Sequence, residues 1–65
     1  MQITVNGERQ ETRARTLGEL CAALGYGDMK IATALNGDFV AAGSRAQTPI
    51  GPQDRIEIVA PRQGG

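Results

Sequence analysis

The last two residues, Gly64 and Gly65, are the part of this sequence best suited to carry out chemistry. Neither residue has a Cβ, so the pair can enter a slot too narrow for other residues and can adopt backbone angles closed to them. The α-carboxyl group of Gly65 is ionised at neutral pH, and a carboxylate can attack a phosphoryl group to give an acyl phosphate or an acyl adenylate. Such a product is activated for transfer to a sulfur or nitrogen nucleophile. The alternative is a disordered tail without a function, in which glycine is also common.

The remaining side chains argue against an enzyme and against a metal site. The chain has no histidine and a single cysteine, Cys21. It therefore lacks a histidine general base, the ligands of a thiolate metal site and the usual base beside a nucleophilic cysteine. We expect the chain to be acted on by other proteins and to bind no cofactor or metal of its own.

Length and composition restrict the class of protein further. The 65 residues predict one domain, in which seven acidic residues balance seven basic ones. A neutral chain with one tyrosine and one phenylalanine is poorly suited to nucleic acid, which requires excess positive charge or stacking aromatic residues. The lone cysteine indicates a reducing compartment, and we expect a cytoplasmic protein without a signal peptide or membrane span.

The elements that must position the terminal dipeptide begin with a predicted hairpin. Residues 2–5 alternate polar and apolar side chains, which predicts a strand with its apolar residues facing inward. Asn6-Gly7 is a strong hairpin signal because both turn positions need a positive φ. The polar residues 8–13 then form the returning strand, which we expect at an edge of the sheet.

A short amphipathic helix is predicted near residues 17–24. Thr16 and Glu19 have the spacing of a capping box, and Gly25 suits the left-handed position that ends a helix. The apolar side chains recur at helical spacing and form one stripe: Leu17, Leu20, Cys21 and Leu24. Cys21 is thereby predicted to be a packing residue, and a sulfur-accepting or redox role is the alternative.

The second half of the chain predicts three more strands. Residues 30–35 alternate, but the sequence does not decide whether Ile31, Thr33 and Leu35 or the two alanines between them face the helix. A second Asn-Gly turn, at residues 36–37, leads to a short strand at 38–40. Glycine and proline pairs predict irregular structure at 41–53, from which Ile50 reaches the core. Residues 55–59 form the last strand, with the β-branched content of an interior position.

One helix cannot bury its apolar stripe alone, so it must lie across one face of a single sheet. The first and last strands are the most apolar, and we place them side by side at the centre, where they can run parallel. The predicted fold is α+β, of the β-grasp or ubiquitin-like type, with a mixed sheet of four to five strands and one helix. Residues 1–59 form this domain, and residues 60–65 form a flexible tail.

The sequence resembles the ThiS family of sulfur carrier proteins of thiamine biosynthesis, and the resemblance covers the whole chain. It rests on the opening Met1-Gln-Ile-Thr-Val-Asn-Gly-Glu8, on Thr16-Leu17-x-Glu19-Leu20, on Ala34-Leu35-Asn36-Gly37, on Gly51-x-x-Asp54-x-Ile56-Glu57-Ile58 and on the terminal Gly64-Gly65. Each motif alone is weak, but their order and the Gly-Gly ending are specific in combination.

This resemblance implies a carrier that partner enzymes act on. An E1-like adenylyltransferase would use ATP to adenylate the Gly65 carboxylate, and a cysteine desulfurase or persulfide protein would supply sulfur to give a thiocarboxylate. Thiazole synthase would then take that sulfur for the thiazole ring of thiamine. Gly64 and Gly65 would thread the partner's active site, because an acyl adenylate must be enclosed against water.

The folded body would supply recognition, through the sheet face away from the helix. We expect Val59, Phe39 and Arg62 to contact partners. Ordinary core or surface roles are the alternatives for Val59 and Phe39, and solvation of the tail is the alternative for Arg62. Other functions also remain open: a carrier resembling the small subunit of molybdopterin synthase, a ubiquitin-like modifier joined to lysines, or a β-grasp binding module with an inert tail.

Overall fold

Five strands form one mixed sheet in the order β2-β1-β5-β3-β4, and one α-helix packs across it. This computed structural model describes residues 1–27 and 29–60. The elements in chain order are β1 (Gln2–Val5), β2 (Glu8–Glu11), α1 (Leu17–Ala23), β3 (Ala32–Leu35), β4 (Asp38–Val40), a 3₁₀ helix (Ala42–Gln47) and β5 (Arg55–Val59). The predicted α+β fold of the β-grasp type is confirmed.

The last strand, β5, lies at the centre of the sheet. It pairs parallel with β1, where Thr4 lies opposite Arg55 and Val5 opposite Ile56. It pairs antiparallel with β3 on its other side, from Ala32 opposite Val59 to Leu35 opposite Ile56. The predicted parallel pairing of the first and last strands is therefore present, and the polar strand β2 lies at an edge as expected.

Both Asn-Gly pairs adopt the conformation that the sequence predicts. Asn6 and Asn36 each have a φ of 51°, and Gly7 and Gly37 follow with φ values of 84° and 89°. Left-handed angles at both central positions define the tight turn that matches the twist of the flanking strands. These turns connect β1 to β2 and β3 to β4.

Side-chain hydrogen bonds cap the start of α1. The Thr16 hydroxyl accepts from the Glu19 backbone N–H at 3.1 Å. The Glu19 carboxylate reaches back to the Arg15 N–H at 2.9 Å, one residue before the usual partner in a capping box. Leu24 caps the other end, and Gly25 follows with a φ of 89°. The predicted helix ends are thus correct to within one residue.

The core lies between α1 and one face of the sheet. It consists of the inward residues of β1 and β5, the helix stripe and one loop residue: Ile3, Val5, Leu17, Leu20, Cys21, Ile50, Ile56 and Ile58. Thr33 is buried on the same side, which settles the question that the alternation in β3 leaves open. Ala32 and Ala34 therefore lie on the face away from the helix.

The prediction that residues 41–53 lack regular structure is wrong for Ala42–Gln47, which form the 3₁₀ helix. Gly43 does not have a positive φ here, so it does not interrupt the turn. The segment is held by tertiary contact, because a Cβ placed on Gly18 of α1 would lie 3.1 Å from the Cα of Ala46. Such contacts leave no signal in local sequence.

Among residues 1–27 and 29–60, no helix has the length and hydropathy that crossing a bilayer requires.

Candidate functional site

The strand β5 leads into the segment that carries the predicted chemistry. Its side chains alternate, so that Ile56 and Ile58 point into the core while Glu57 and Val59 point away from it. The predicted site residues Arg62, Gly64 and Gly65 lie outside the described residues. For the same reason the division into a domain at 1–59 and a tail at 60–65 stays a prediction, although β5 ends at Val59.

Four apolar residues cluster on the sheet face away from α1, and we call Ala32, Ala34, Phe39 and Val59 the open-face patch. Their contact follows from register, because Ala34 lies opposite Phe39 and Ala32 lies opposite Val59. Phe39 is 73% exposed and Val59 is 60% exposed, so neither residue belongs to the core.

The open-face patch forms a shallow groove that Glu57 also lines. Phe39 and Val59 are the large exposed apolar side chains of its lining, and Ala32 and Ala34 are the small ones. An exposed apolar surface of this kind is typical of a protein contact. The structure thus places Phe39 and Val59, which the sequence predicts as contact residues, on the same face of the sheet and on either side of β3.

The side chain of Asn6 holds the end of β5 that leads to Ala60. Its Oδ1 accepts from the backbone N–H of Ile58 at 2.8 Å, and its Nδ2 donates to the Ile58 carbonyl at 3.0 Å. The Asn6 backbone N–H donates to the Ile56 carbonyl at 2.9 Å. One residue of the first turn therefore makes three hydrogen bonds to the last strand.

Asn36 holds the opposite end of β5 in a similar way. Its Oδ1 accepts from the Arg55 N–H at 2.9 Å, and its own N–H donates to the Arg55 carbonyl at 2.7 Å. Its Nδ2 donates to Asp54 Oδ1 at 3.1 Å. The two Asn-Gly turns consequently fix both ends of the strand that precedes the predicted tail.

Cys21 is placed as a packing residue and not in a reactive environment. The thiol is buried in the core, and this burial raises its pKa, while the nearby Arg45 cation acts in the opposite direction and more weakly. A reactive cysteine requires a lowered pKa and access to solvent. Within the part of the chain that the structure describes, no three potential ligands lie close enough together to hold a metal ion.

Sequence reasoning identifies Asn6 and Asn36 only as turn residues and misses their side-chain bonds to β5. No local signal could have revealed these bonds, because Asn6 and Ile58 are separated by 52 positions. The Asn-Gly motif predicts the turn but does not identify the strand beside it.

Comparisons with known proteins agree with this architecture. The model of the ThiS family matches residues 3–65. A crystal structure described as a thiamine biosynthesis protein (ThiS) from Geobacter metallireducens is similar over 100% of both chains, with a TM-score of 0.82 and 26% sequence identity. No curated protein matched the sequence.

The resemblance found in the sequence motifs is thereby confirmed, because the family match extends over nearly all of the chain. The similar structure has the same fold from end to end. The protein belongs to the ThiS family.

Proposed function

We propose that this protein is a sulfur carrier of thiamine biosynthesis, on which the sulfur is held as a thiocarboxylate at Gly65. The observation that carries the proposal is the family match, which extends through Gly64 and Gly65. The full-length similarity to a protein described as a thiamine biosynthesis protein supports the same pathway. The absence of histidine and the burial of Cys21 are consistent with a protein that partner enzymes act on.

The proposed chemistry begins with the Gly65 carboxylate. A carboxylate oxygen attacks the α-phosphorus of ATP on an E1-like adenylyltransferase, and pyrophosphate leaves. The terminal sulfur of a partner's cysteine persulfide then displaces AMP at the carbonyl carbon, which gives an acyl disulfide. A second thiol on the partner side reduces the S–S bond of this acyl disulfide, so that the partner keeps a disulfide and the carrier is released as the thiocarboxylate that thiazole synthase uses. This chain contributes a terminus without side chains, while the partner enzyme binds the ATP and excludes water from the adenylate.

The open-face patch is the proposed docking surface for the activating enzyme. It is continuous with the tail, because Val59 is the last residue of β5 and lies within the patch. A partner that covers Phe39 and Val59 would therefore already hold the chain next to the point at which the tail begins. We expect micromolar affinity, about −8 kcal/mol, because a carrier must leave each partner in turn.

Intact mass spectrometry tests the proposal. The protein is co-expressed with an E1-like adenylyltransferase and a cysteine desulfurase, and its mass is measured after purification. We expect a shift equal to one oxygen replaced by one sulfur. A variant that lacks Gly65 is the matched control and should show no shift, because the remaining terminus would stop one residue short of the reacting phosphorus.

The alternatives give different results in this experiment or in a rescue assay with a thiamine-requiring strain. Ladders of higher mass on other proteins would indicate a ubiquitin-like modifier. An unchanged mass with an active enzyme would indicate a binding module with an inert tail. A shift that appears while a thiamine-requiring strain is not rescued would favour a carrier for molybdopterin, because the terminal chemistry would be shared and the acceptor enzyme would differ.

A further inference from the structure

The ladder between β1 and β5 ends before β5 does. Their register pairs are Thr4 with Arg55 and Val5 with Ile56, after which β1 turns away at Asn6. The next residue of β5 whose backbone bonds toward β1 is Ile58, which has no strand residue opposite it on that side. Its N–H and carbonyl are both taken by the side-chain amide of Asn6, at 2.8 Å and 3.0 Å.

The amide of Asn6 thus replaces a missing strand residue. A side-chain amide has the same donor and acceptor as a peptide group, so it can extend a ladder by one step. The left-handed φ of 51° at Asn6 allows the chain to reverse into β2 while the side chain continues toward Ile58. On the other side of β5, the neighbouring residue Val59 is paired with Ala32.

From this geometry we propose that Asn6 is a positioning residue for sulfur loading. Asn6 holds Ile58 on the β1 side while Ala32 holds Val59 on the β3 side, so Asn6 helps to fix the point at which the chain leaves the sheet and limits the length of free chain before Gly65. This inference rests on the proposed function. A carboxylate at the end of a short tether has a high effective concentration at the partner's active site, and that concentration falls as the tether lengthens.

Asn36 provides a matched control within the same chain. It has the same φ of 51°, the same glycine after it, and its Oδ1 likewise accepts from a backbone N–H of β5. Its contact is with Arg55, about 13 Å along the strand from Val59 at the usual rise per residue. Glycine tolerates a positive φ, so Asn6→Gly and Asn36→Gly remove only the side-chain bonds without adding backbone strain.

The experiment measures thiocarboxylate formation at varied concentrations of the parent and of each variant, with the activating enzyme and sulfur donor held constant. We expect Asn6→Gly to lower kcat about twofold with little change in KM, because release of two or three residues lengthens a six-residue tether, while Asn36→Gly keeps the kcat of the parent. Partial unfolding gives a different signature: because this protein is the substrate of the activating enzyme, a smaller folded fraction raises the apparent KM and leaves kcat unchanged.

A second variant keeps the test valid if Asn6→Gly folds poorly. Asn6→Asp retains an oxygen for the Ile58 N–H and tolerates the left-handed angle, but cannot donate to the Ile58 carbonyl. Its kcat should lie between those of the parent and Asn6→Gly, and the Ile58 amide should exchange with deuterium at a correspondingly intermediate rate. The positioning role alone would be overturned if the parent and both Asn6 variants had equal kcat values. It would also be overturned if Asn36→Gly lowered kcat as much as Asn6→Gly does. Failure of the parent to be converted at all would overturn the proposed function and this role with it.

Discussion

The guanidinium of Arg45 and the hydroxyl of Thr33 connect the 3₁₀ helix to the interior of the sheet. Nε of Arg45 donates to Oγ1 of Thr33 at 2.9 Å, and that hydroxyl donates to the Val40 carbonyl at 2.8 Å. The Nη2 of Arg45 donates to the Ile31 carbonyl at 2.6 Å. A residue of the 3₁₀ helix is thereby joined to β4, to β3 and to the residue that precedes β3.

Replacing Thr33 with valine should therefore destabilise the protein by about 1–3 kcal/mol, because the part-buried Arg45 guanidinium and Val40 carbonyl would each lose a partner. Thr33→Ser is the control, since it keeps the hydroxyl and loses one methyl group, at a cost of about 1 kcal/mol. Urea unfolding of both variants measures the difference. A larger loss in Thr33→Ser than in Thr33→Val would show that packing, and not this hydrogen-bond chain, is what the site needs.

Gly18 should resist substitution even though it lies within a helix. Alanine in a helix interior is favoured over glycine by about 1 kcal/mol. At Gly18, however, the new Cβ would meet backbone atoms of Ala46 at 3.1 Å and 3.2 Å, and backbone atoms cannot rotate away. Since overpacking costs about 1–3 kcal/mol, we expect Gly18→Ala to be net destabilising.

The control for Gly18 is Gly43→Ala in the facing 3₁₀ helix, where a Cβ would meet nothing within 4 Å. We expect its effect on the free energy of unfolding to be within about 0.5 kcal/mol, as for surface substitutions in general. Thermal unfolding of Gly18→Ala and Gly43→Ala measures their stabilities relative to the parent. A stabilised Gly18→Ala variant would mean that the 3₁₀ helix can move away from α1.

Stability should depend on pH through Cys21. Burial raises the pKa of this thiol in the folded state above its value in the unfolded chain. The stability that comes from keeping the thiol neutral is fully present below the unfolded pKa, about 8.5, and is lost as the pH rises toward the folded pKa. Relative to Cys21→Ala, the parent should lose unfolding free energy progressively as the pH rises from 7 to about 9.5.

The difference in unfolding free energy between the parent and Cys21→Ala isolates the contribution of the thiol, because all other titrating groups are common to both proteins. A constant difference across that pH range would contradict the assigned burial effect. The same environment predicts slow reaction of the native thiol with alkylating reagents, at a rate limited by opening of the core.

The open-face patch should be needed for docking but not for folding. Phe39→Lys places a charge in the groove, and we expect affinity for the activating enzyme to fall tenfold or more, about 1.4 kcal/mol or above. Stability should change by less than about 0.5 kcal/mol, because Phe39 is 73% exposed. Isothermal titration with the partner enzyme measures the affinity.

Ala23→Lys introduces the same charge on the exposed surface of α1 and serves as the matched control. It should bind as the parent does, since α1 covers the opposite face of the sheet. Equal weakening by both lysines would point to a general effect of charge, and no weakening by Phe39→Lys would remove the patch from the docking surface.

The sequence alone determined the local structure of this protein and its family. The angles at Asn6-Gly7 and Asn36-Gly37, the cap formed by Thr16 and the inward positions of β1 and β5 follow from the preferences of single residues and from periodicity. These signals are short-range, because each depends on the chemistry of a few adjacent positions. The same signals, taken in order, also indicated the β-grasp arrangement.

Tertiary structure alone decided which distant residues meet. The alternating pattern of β3 cannot specify which of its faces points into the core. The face that carries Thr33 does so because it packs against the apolar side chains of α1 and β5. The 3₁₀ helix depends on a close approach to Gly18 and on the bonds of Arg45. The bond from Asn6 to Ile58 depends on the register of a parallel pair. Register is fixed by burial of a whole face at once, so these contacts exist only when the complete sheet has formed.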